Sequence, residues 1–571
     1  MSNTNVKDDL KDALKASKRG FIAAGFFSLF INLLMLTSPF YMLQVYDRVV
    51  ASRSLETLFF LTIIMVFMFS IMGTLQWVRS RILVRLSNQM DKNLSQRVYS
   101  AMFEIGVRSP NERTSQPLSD FTNLRQFMTG NGLFAFFDAP WLPVYIGVMF
   151  LFHPVFGWFS IGAAIILVIV AVLNEKTTKK LLSEANGENI KAQNLATGNL
   201  RNAEVLHAMG MLPNIMGRWY NQHQTFLEKQ TNASDKAGIY SNSSKVLRMI
   251  FQSLVLGIGA YYVVLNEMSP GMMIAGSILM GRALAPVDLI IGSWSSFNSA
   301  RTAYSRLSKV LHTIPANDRN MQLPTPIGQV TVENLFVVPP GSKAPALRGV
   351  TLDIPVGDLI GIVGPSAAGK STLARALLGI WPASNGTVRI DGAEIQHYNR
   401  DELGPHIGYL PQDIELFNGT VSENIARFSE IDSEKVVLAA KKAGVHELIL
   451  RLPKAYDTVI GVDSGALSGG QRQRIGLARA LYGAPKVVIL DEPNSNLDDQ
   501  GEQALAQTLQ ILKAQKTTTF VISHRTSILR HIDKLLVMRE GQIQLFGPRD
   551  EVMKKLAIQK TEQEKLSKTP A

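Results

Sequence analysis

The sequence contains no cysteine. Without a thiol the chain cannot form disulfides, bind zinc through cysteine ligands or use a cysteine nucleophile. A cleaved signal peptide is not expected either, because the first twenty residues are polar and no small-residue cleavage site follows the first apolar run. The length of 571 residues exceeds that of one ordinary domain and favours about two to four domains.

Charged residues are also scarce, at 18% of the chain, although the net charge is +12. That positive charge alone would allow nucleic-acid binding. The distribution of residues argues otherwise, since hydrophobic residues make up 46% of the chain and concentrate in its first half. We therefore expect the lipid bilayer, and not nucleic acid, as a partner.

Six apolar runs before residue 300 are long enough to be membrane spans. A span needs roughly 20 apolar residues to cross a hydrocarbon core of about 30 Å. A run such as TLFFLTIIMVFMFSIMGTLQWV (57–78) lacks the charged face of a soluble helix. The predicted spans are Phe21–Leu43, Thr57–Val78, Leu133–Phe152, Val155–Leu173, Leu247–Leu265 and Gly271–Trp294.

Lysine and arginine are absent from the two short connections between spans, HP at 153–154 and NEMSP at 266–270. The two long connections are rich in both residues. The positive-inside rule therefore predicts that the long connections, the N-terminus and the C-terminal half are cytoplasmic. The long connections are predicted to be mostly helical, with turning points near 119–129 and 202–211.

The predicted spans contain few charged residues, among them Arg282, Asp138 and Asp288. A charge at mid-bilayer costs about 2.5–3.5 kcal/mol on insertion scales, so Arg282 is expected to face a cavity or a carboxylate. A role in the translocation path and a structural ion pair are both compatible with the sequence.

The chain is thus predicted to consist of five parts. Residues 312–329, polar and containing three prolines, are typical of a linker. The predicted parts are a cytoplasmic segment at 1–20, a six-helix α-helical transmembrane domain at 21–311, the linker at 312–329, an α/β nucleotide-binding domain at 330–555 and a polar tail at 556–571.

The second half contains the phosphate-binding pattern GPSAAGKS between a short apolar strand and an amphipathic helix. Backbone N–H groups of this loop are expected to surround the phosphates of ATP, Lys370 to reach the β- and γ-phosphates, and Ser371 to bind Mg²⁺. The predicted loop residues are Gly364, Pro365, Ser366, Ala367, Ala368, Gly369, Lys370, Ser371 and Thr372.

Three further apolar strands end in polar residues suited to ATP hydrolysis. KVVILDEP (486–493) places Asp491 to hold Mg²⁺ and Glu492 to act as general base on the attacking water. His524 follows TTTFVIS and is expected to contact the γ-phosphate. Gln412 follows HIGYLP, where its amide could touch Mg²⁺ and the attacking water. Alternating strands and helices predict a mostly parallel sheet with these groups at strand ends, and a helical insert over about 413–485.

The pattern LSGGQ at 467–471 heads a helix within this insert, although the phosphate loop already surrounds the nucleotide tail. Together with GPSAAGKS, Gln412, VVILDE, SNLD at 495–498 and His524, it resembles the ATP-binding cassette (ABC) transporter family over about 330–550. The resemblance implies a RecA-like core with a helical subdomain, and two cassettes that sandwich two ATPs. It also implies that the γ-phosphate in the partner is contacted by Leu467, Ser468, Gly469, Gly470 and Gln471, with Asp498 nearby.

One cassette and six spans therefore imply a homodimer. An aromatic residue for adenine stacking is missing, since Val338 stands at that position.

Over nearly its full length the chain resembles type I secretion exporters of the protease/lipase branch. The likeness includes stretches such as SPFYMLQVYDRVVASRSLETL and FFDAPWLPVYIGVMFLFHP. That resemblance implies ATP-driven export of unfolded proteins with a C-terminal signal across the bacterial inner membrane. It further implies a periplasmic membrane fusion protein and an outer-membrane channel as partners. A homodimeric lipid, drug or peptide exporter is the alternative, and it would require a hydrophobic cavity open to the bilayer.

Overall fold

The computed structural model describes residues 9–109, 114–314, 323–461 and 467–567, without the side chains of 131 and 559–567. The chain divides into two compact units. One comprises Met1–Glu104 and Thr114–Ala316, and the other Ile105–Arg113 and Asn317–Ala571.

The first unit is entirely helical within its described residues. A π-helical turn at Val45–Val50 follows α3, and a 3₁₀ turn at Ala139–Trp141 separates α6 from α7. The helices are α1 (Asp9–Ala16), α2 (Lys18–Leu34), α3 (Thr37–Gln44), α4 (Leu55–Arg108), α5 (Gln116–Thr129), α6 (Asn131–Asp138), α7 (Leu142–Phe152), α8 (Pro154–Arg201), α9 (Ala203–Ala208), α10 (Leu212–Val264) and α11 (Pro270–Thr313).

Six helical segments are long and apolar enough to cross a membrane, and they coincide with the six predicted spans. Helices α4, α8 and α10 contain 54, 48 and 53 residues. At about 1.5 Å per residue each is more than twice as long as the hydrocarbon core is thick. The predicted helical extension of the spans is therefore confirmed.

The predicted turning point near 119–129 is wrong, because α5 is helical across Gln116–Thr129. Pro117 in the first turn suits a helix start, where its missing N–H costs nothing. The second predicted turning point is correct: α9 and a short turn around Gly210 (φ +61°) separate α8 from α10.

Both acidic residues within the predicted spans form ion pairs. Asp138 accepts hydrogen bonds from Arg79 at 3.0 Å and from Asn32 at 2.9 Å. Asp288 accepts from Ser244 and Arg248. Arg282 is exposed and has no carboxylate partner among the described residues, so of the two expected surroundings the carboxylate is not found within the single chain.

The second unit contains two larger sheets and a two-stranded pair. The strands are β1 (Val330–Val337), β2 (Leu347–Ile354), β3 (Leu359–Val363), β4 (Asn385–Ile390), β5 (Ala393–Glu394), β6 (Ile407–Leu410), β7 (Gly419–Thr420), β8 (Val459–Ile460), β9 (Val487–Asp491), β10 (Thr518–Ile522), β11 (Lys534–Arg539) and β12 (Gln542–Pro548). Strands β1, β2, β4 and β5 form an antiparallel sheet in the order β2-β1-β4-β5.

The central sheet has the order β12-β11-β3-β10-β9-β6, and all its pairs except β11–β12 are parallel. Both faces are covered, as the side chains of β9 show. Val488 and Leu490 belong to one hydrophobic cluster, while Val487 and Ile489 belong to another. Burial on both faces explains why these strands are continuous apolar runs. The predicted mostly parallel sheet is confirmed.

The helices of the second unit cover this sheet and form the insert. Over 413–485 the described residues are mainly helical, as predicted, with the short pair β7–β8. The segment expected as a polar tail is helical as far as Ser567. The helices are α12 (Lys370–Leu377), α13 (Arg400–Leu403), α14 (Val421–Ile425), α15 (Ser433–Lys442), α16 (His446–Leu450), α17 (Gly469–Leu481), α18 (Asp499–Ala514), α19 (Thr526–Leu529) and α20 (Arg549–Ser567).

Candidate nucleotide-binding site

The phosphate loop connects β3 to α12 and contains backbone that only glycine accommodates at two positions. Gly364 has φ +157°, and an added Cβ would lie 2.2 Å from the carbonyl oxygen of Met538. Gly369 has φ +95°, and its Cβ would lie 2.9 Å from the carbonyl oxygen of Ala346. The loop is therefore closely surrounded by backbone. The Ala368 N–H donates to Pro365 O at 3.2 Å within the loop, and the first N–H groups of α12 have no partner inside the helix and can face a ligand.

Lys370 folds back over this loop. Its Nζ donates to the carbonyl oxygens of Gly364 at 2.8 Å and Pro365 at 2.9 Å, and the residue is 7% exposed. Burial lowers the pKa of Lys370, and the carboxylates of Glu492 and Asp491 oppose that shift. The lysine charge is thus held inside a pocket where a phosphate would replace the carbonyl contacts.

Asp491 ends β9 and is 2% exposed. Burial raises the pKa of Asp491, whereas a hydrogen bond from Ser371 opposes the rise. Its Oδ1 atom is buried and has no hydrogen-bond partner among the described residues. A buried carboxylate oxygen without a partner, beside a serine hydroxyl, fits a hard cation such as Mg²⁺. No group of three or more His, Asp or Glu that could bind a metal occurs in the described part of the chain, so phosphate and water oxygens would have to complete such a site.

Glu492 follows Asp491 with φ +50°, an uncommon conformation for a residue other than glycine. Its N–H donates to the carbonyl oxygen of Ile522 on β10 at 3.0 Å. This hydrogen bond helps to hold the Glu492 backbone in its left-handed conformation. Strained backbone of this kind is concentrated at functional sites.

The structure brings Gln412 and His524 to Glu492, as the parallel order of β6, β9 and β10 requires. Gln412 Nε2 donates to Glu492 Oε2 at 3.2 Å, and His524 Nε2 lies 3.9 Å from Glu492 Oε1. The carboxylate is about one-quarter exposed, so water can reach it. These groups could deprotonate and orient one water molecule.

The LSGGQ segment begins α17 with a capping box. Gln471 N donates to Ser468 Oγ at 3.2 Å, and Ser468 N donates to Gln471 Oε1 at 2.9 Å. No hydrogen bond or ion pair joins 467–471 to 364–372 within the described chain. The phosphate loop and the LSGGQ segment are therefore two separate clusters, and one chain does not close the site around a nucleotide.

Gln473 is a residue of this region that sequence analysis missed. It is 1% exposed and lies one turn into α17. Gln473 Nε2 donates to the carbonyl oxygen of Glu492 at 3.1 Å, and Gln473 Oε1 accepts from the N–H of Asn496 at 3.0 Å. The only sequence signal is a glutamine on the otherwise small and apolar face of α17. This amide connects the LSGGQ helix to the strand end that carries the candidate base.

Asp498, predicted near the nucleotide, caps α18 in this chain. Its Oδ1 accepts from Gly501 N at 2.8 Å and from Arg474 at 3.2 Å. Close packing continues at Gly470, where a Cβ would lie 2.6 Å from the carbonyl oxygen of Asn496. The SNLD turn and the start of α17 therefore pack as one piece.

The loop between β1 and β2 lies beside the phosphate loop, because a Cβ added at Gly369 would lie 2.9 Å from the carbonyl oxygen of Ala346. The turn between β11 and β12 also contacts the phosphate loop, since Gly541 N donates to Ala368 O at 3.2 Å. Val338, the residue expected in place of an aromatic one, is partly exposed in the loop between β1 and β2. Position 338 therefore offers an aliphatic side chain for contact with adenine, and no aromatic ring that could stack on it.

Two family descriptions match the chain. Residues 347–495 match "ABC transporter" and residues 21–286 match "ABC transporter transmembrane region". Among curated proteins, the type I secretion system ATP-binding protein PrsD of Rhizobium meliloti is 45% identical over 95% of this chain and 93% of its own length. The leukotoxin export ATP-binding protein LtxB of Aggregatibacter actinomycetemcomitans is 28% identical over 94% of this chain and 76% of its own.

Among solved structures, a bacterial Atm1-family ABC exporter with ATP bound matches with a TM-score of 0.80 and 22% identity. The match covers 97% of this chain and 99% of the chain of that exporter. This likeness supports the predicted fold: six apolar helices followed by an ABC nucleotide-binding domain. Given the identity to PrsD across nearly the whole sequence, the chain belongs to the type I secretion ABC transporters.

Proposed function

We propose that this protein uses ATP hydrolysis to export unfolded proteins that carry a C-terminal secretion signal, as the inner-membrane component of a type I secretion system. Relatives named for type I secretion and leukotoxin export support protein as the cargo. The observation that favours protein over a lipid or drug as the cargo is a chamber in the membrane unit that is lined by many amide and hydroxyl side chains.

The chamber has a volume of about 930 Å³ and lies between α5, α8, α10 and α11. Half of the residues that line it carry amide or hydroxyl side chains, which can both donate and accept hydrogen bonds. Those from asparagine and glutamine are Gln116, Asn123, Gln126, Asn186, Asn189 and Gln193, and those from serine are Ser119, Ser293, Ser295, Ser296 and Ser299.

Such a lining suits the peptide groups of an extended polypeptide, which need hydrogen bonds whatever their sequence. A lipid or drug site would instead be lined mainly by apolar side chains. Two of the chamber's arginines are already paired, Arg248 with Asp288 and Arg306 with Asp120 at 2.6 Å. Lys245, which has no ion-pair partner among the described residues, remains for an acidic group of the cargo.

For ATP hydrolysis we assign Glu492 as general base, oriented by Gln412, with His524 placed toward the γ-phosphate. Lys370 and the N–H groups of 364–372 bind the phosphates, and Ser371, Asp491 and Gln412 would hold Mg²⁺. When bound, Mg²⁺ supplies positive charge that offsets the charge of the phosphates. Glu492 takes the proton of the attacking water, and the hydrogen bond from Gln412 keeps its Oε2 in place.

The two separately built clusters support a homodimer in which residues 467–471 of each subunit cap the nucleotide on the partner's phosphate loop. Gly469 and Gly470 at the start of α17 offer N–H groups at a helix N-terminus, which suits a γ-phosphate, while the Ser468 N–H donates to Gln471 Oε1. Asp498 would act by holding Arg474 and the SNLD turn beside this helix.

We further propose that both termini are cytoplasmic, following the distribution of lysine and arginine around the spans. A periplasmic membrane fusion protein and an outer-membrane channel would complete the export path in a Gram-negative envelope. This partner set rests on the relatives named for type I secretion.

Comparative mass spectrometry of culture medium tests the proposal, with cells that contain the wild-type protein or Glu492→Gln. We expect selective loss of one or a few proteins from the medium of the variant, each with its C-terminus intact in the wild-type sample. An unchanged set of secreted proteins would contradict protein export and favour a small-molecule cargo. Glu434→Gln, an exposed position on α15, is the matched control and should secrete normally.

A further inference from the structure

Arg282 carries a positive charge near the middle of the last span. Helix α11 begins at Pro270, so at about 1.5 Å per residue Arg282 lies roughly 18 Å along the helix, well inside a hydrocarbon core of about 30 Å. The acidic residues of the predicted spans, Asp138 and Asp288, are each already paired with another arginine. Arg282 is exposed and has no carboxylate partner in the described part of the chain. Such a charge is costly in a membrane unless it faces a cavity or a ligand.

Arg282 lies on the face of α11 that lines the chamber. The helical period places Ala285, Leu289 and Ser293 on the same side of the helix as Arg282, and all three line the chamber. The opposite side of α11 packs in the core of the membrane unit, where Ile291 is buried. Arg282 therefore extends the chamber-lining face of α11 by about one turn toward the middle of the bilayer.

The neighbouring helix α10 has a polar face that reaches the same depth. Lys245, Arg248 and Gln252 lie on one side of α10 by helical period, and the first two line the chamber. Gln252 is close to α11 directly beside Arg282, since a Cβ added at Gly281 would lie 2.8 Å from Gln252 Oε1. Polar side chains of both helices thus continue from the chamber to the level of Arg282.

The backbone adds a hydrogen-bond acceptor at this level. Pro286 lies inside α11 and has no N–H, so the carbonyl oxygen of Arg282 lacks the helical hydrogen bond that position 286 would otherwise donate. Polar backbone at membrane depth is tolerated where it is buried in protein or lines a water-filled cavity. Arg282 therefore combines a guanidinium that donates with a carbonyl that accepts, and an extended polypeptide has groups that match both.

We propose that Arg282 binds carboxylates of the exported polypeptide at the membrane end of the chamber, a role that rests on the proposed function because it takes protein as the cargo. A guanidinium can donate two parallel hydrogen bonds to one carboxylate. That carboxylate can belong to an acidic side chain of the cargo or to its C-terminus. An uncharged polypeptide would leave the charge of Arg282 unmatched.

The test measures binding of a short, unstructured, fluorescent peptide to the purified full-length protein in lipid nanodiscs, by fluorescence anisotropy. The peptide is made with either glutamate or glutamine side chains, and with either a free or an amidated C-terminus. The variant is Arg282→Gln. The matched control is Arg301→Gln, which removes an exposed arginine of the same helix that is not among the described residues lining the chamber.

We expect the wild-type protein to bind the peptides that carry carboxylates more tightly than the amidated glutamine peptide. Arg282→Gln should raise the dissociation constant of the carboxylate peptides by about tenfold and should leave that of the uncharged peptide nearly unchanged. Arg301→Gln should change neither, and Arg282→Lys should retain most of the preference because the positive charge remains. Comparison of the glutamate peptide with the free C-terminus identifies which carboxylate Arg282 binds.

An equal change for charged and uncharged peptides in Arg282→Gln would overturn the proposal, because the arginine would then support the fold or a subunit contact. An unchanged preference in this variant would also overturn it and would assign the carboxylate to Lys245.

The wild-type protein keeps the proposal testable if Arg282→Gln does not fold. Equal affinity of the wild-type protein for all forms of the peptide would overturn the role of Arg282 while leaving protein export intact. Failure of every form to bind would instead contradict protein as the cargo, and the role of Arg282 with it.

Discussion

Gln412 Nε2 lies 3.2 Å from Glu492 Oε2, although 80 positions of sequence separate the two residues. Their strands β6 and β9 are parallel neighbours, with Leu410 opposite Leu490. The carboxyl ends of both strands therefore reach the same edge of the sheet. The amide can hold the carboxylate oxygen in place while His524 approaches the other oxygen, at 3.9 Å.

Glu492→Gln should bind ATP and lose hydrolysis, because an amide has the shape of the carboxylate but cannot accept the proton from water. We expect a loss in kcat of about 100-fold or more. The measurements are phosphate release and nucleotide binding on purified protein, with Glu434→Gln as the control. Rapid turnover by Glu492→Gln would show that another group is the base.

Ser468→Arg should abolish turnover while nucleotide binding by Lys370 of the same chain persists, since the bulky cation would obstruct the partner's γ-phosphate. Ser468 also caps α17, so Ser468→Ala is the necessary comparison. Loss of the cap alone costs about 1 kcal/mol and should leave most of the turnover. If binding falls as far as turnover in Ser468→Arg, capping across the dimer is the wrong explanation.

Gln473→Leu should lower kcat with little change in KM, because it frees the backbone at Glu492 without touching the nucleotide. It removes one of the two hydrogen bonds to the Glu492 carbonyl, which still accepts from Ser495 N at 3.2 Å. It also leaves the Asn496 N–H without its partner, at a cost of about 1–3 kcal/mol. Steady-state ATPase kinetics and thermal unfolding are the measurements. Gln503→Leu, exposed on α18, controls for the substitution itself. A large rise in KM with unchanged kcat would indicate that Gln473 acts on nucleotide binding instead.

Arg79→Met should destabilise the membrane unit by about 3–5 kcal/mol, since it leaves the buried Asp138 without its cation. The double variant Arg79→Met/Asp138→Leu should recover part of that loss. Thermal unfolding in detergent provides the measurement. Arg81→Met, two residues away and exposed, should have little effect.

A double variant that is no more stable than Arg79→Met would contradict the charge argument. It would mean that the contacts of Asp138 with Asn32, and not the ion pair, determine stability at this place.

The six spans and the phosphate loop could be predicted because each is encoded by neighbouring residues. A bilayer core requires one long apolar run, and a phosphate loop requires glycines at set distances from a lysine. The turn expected near 119–129 was wrong because Pro117 and the polar residues around it are equally compatible with a helix start, which the packing of Phe121 and Leu124 favours.

Sequence by itself determined the membrane half, the ATP-binding half and the residue types at the strand ends of the candidate site, since local periodicity and spacing are sufficient for these. Only the tertiary structure decided which polar groups meet. The contact of Gln473 with Glu492 and the pairing of Asp138 with Arg79 join residues from distant helices and strands. Hydrogen bonds and ion pairs act over a few ångströms in space, and no pattern along the chain records which distant segments come that close.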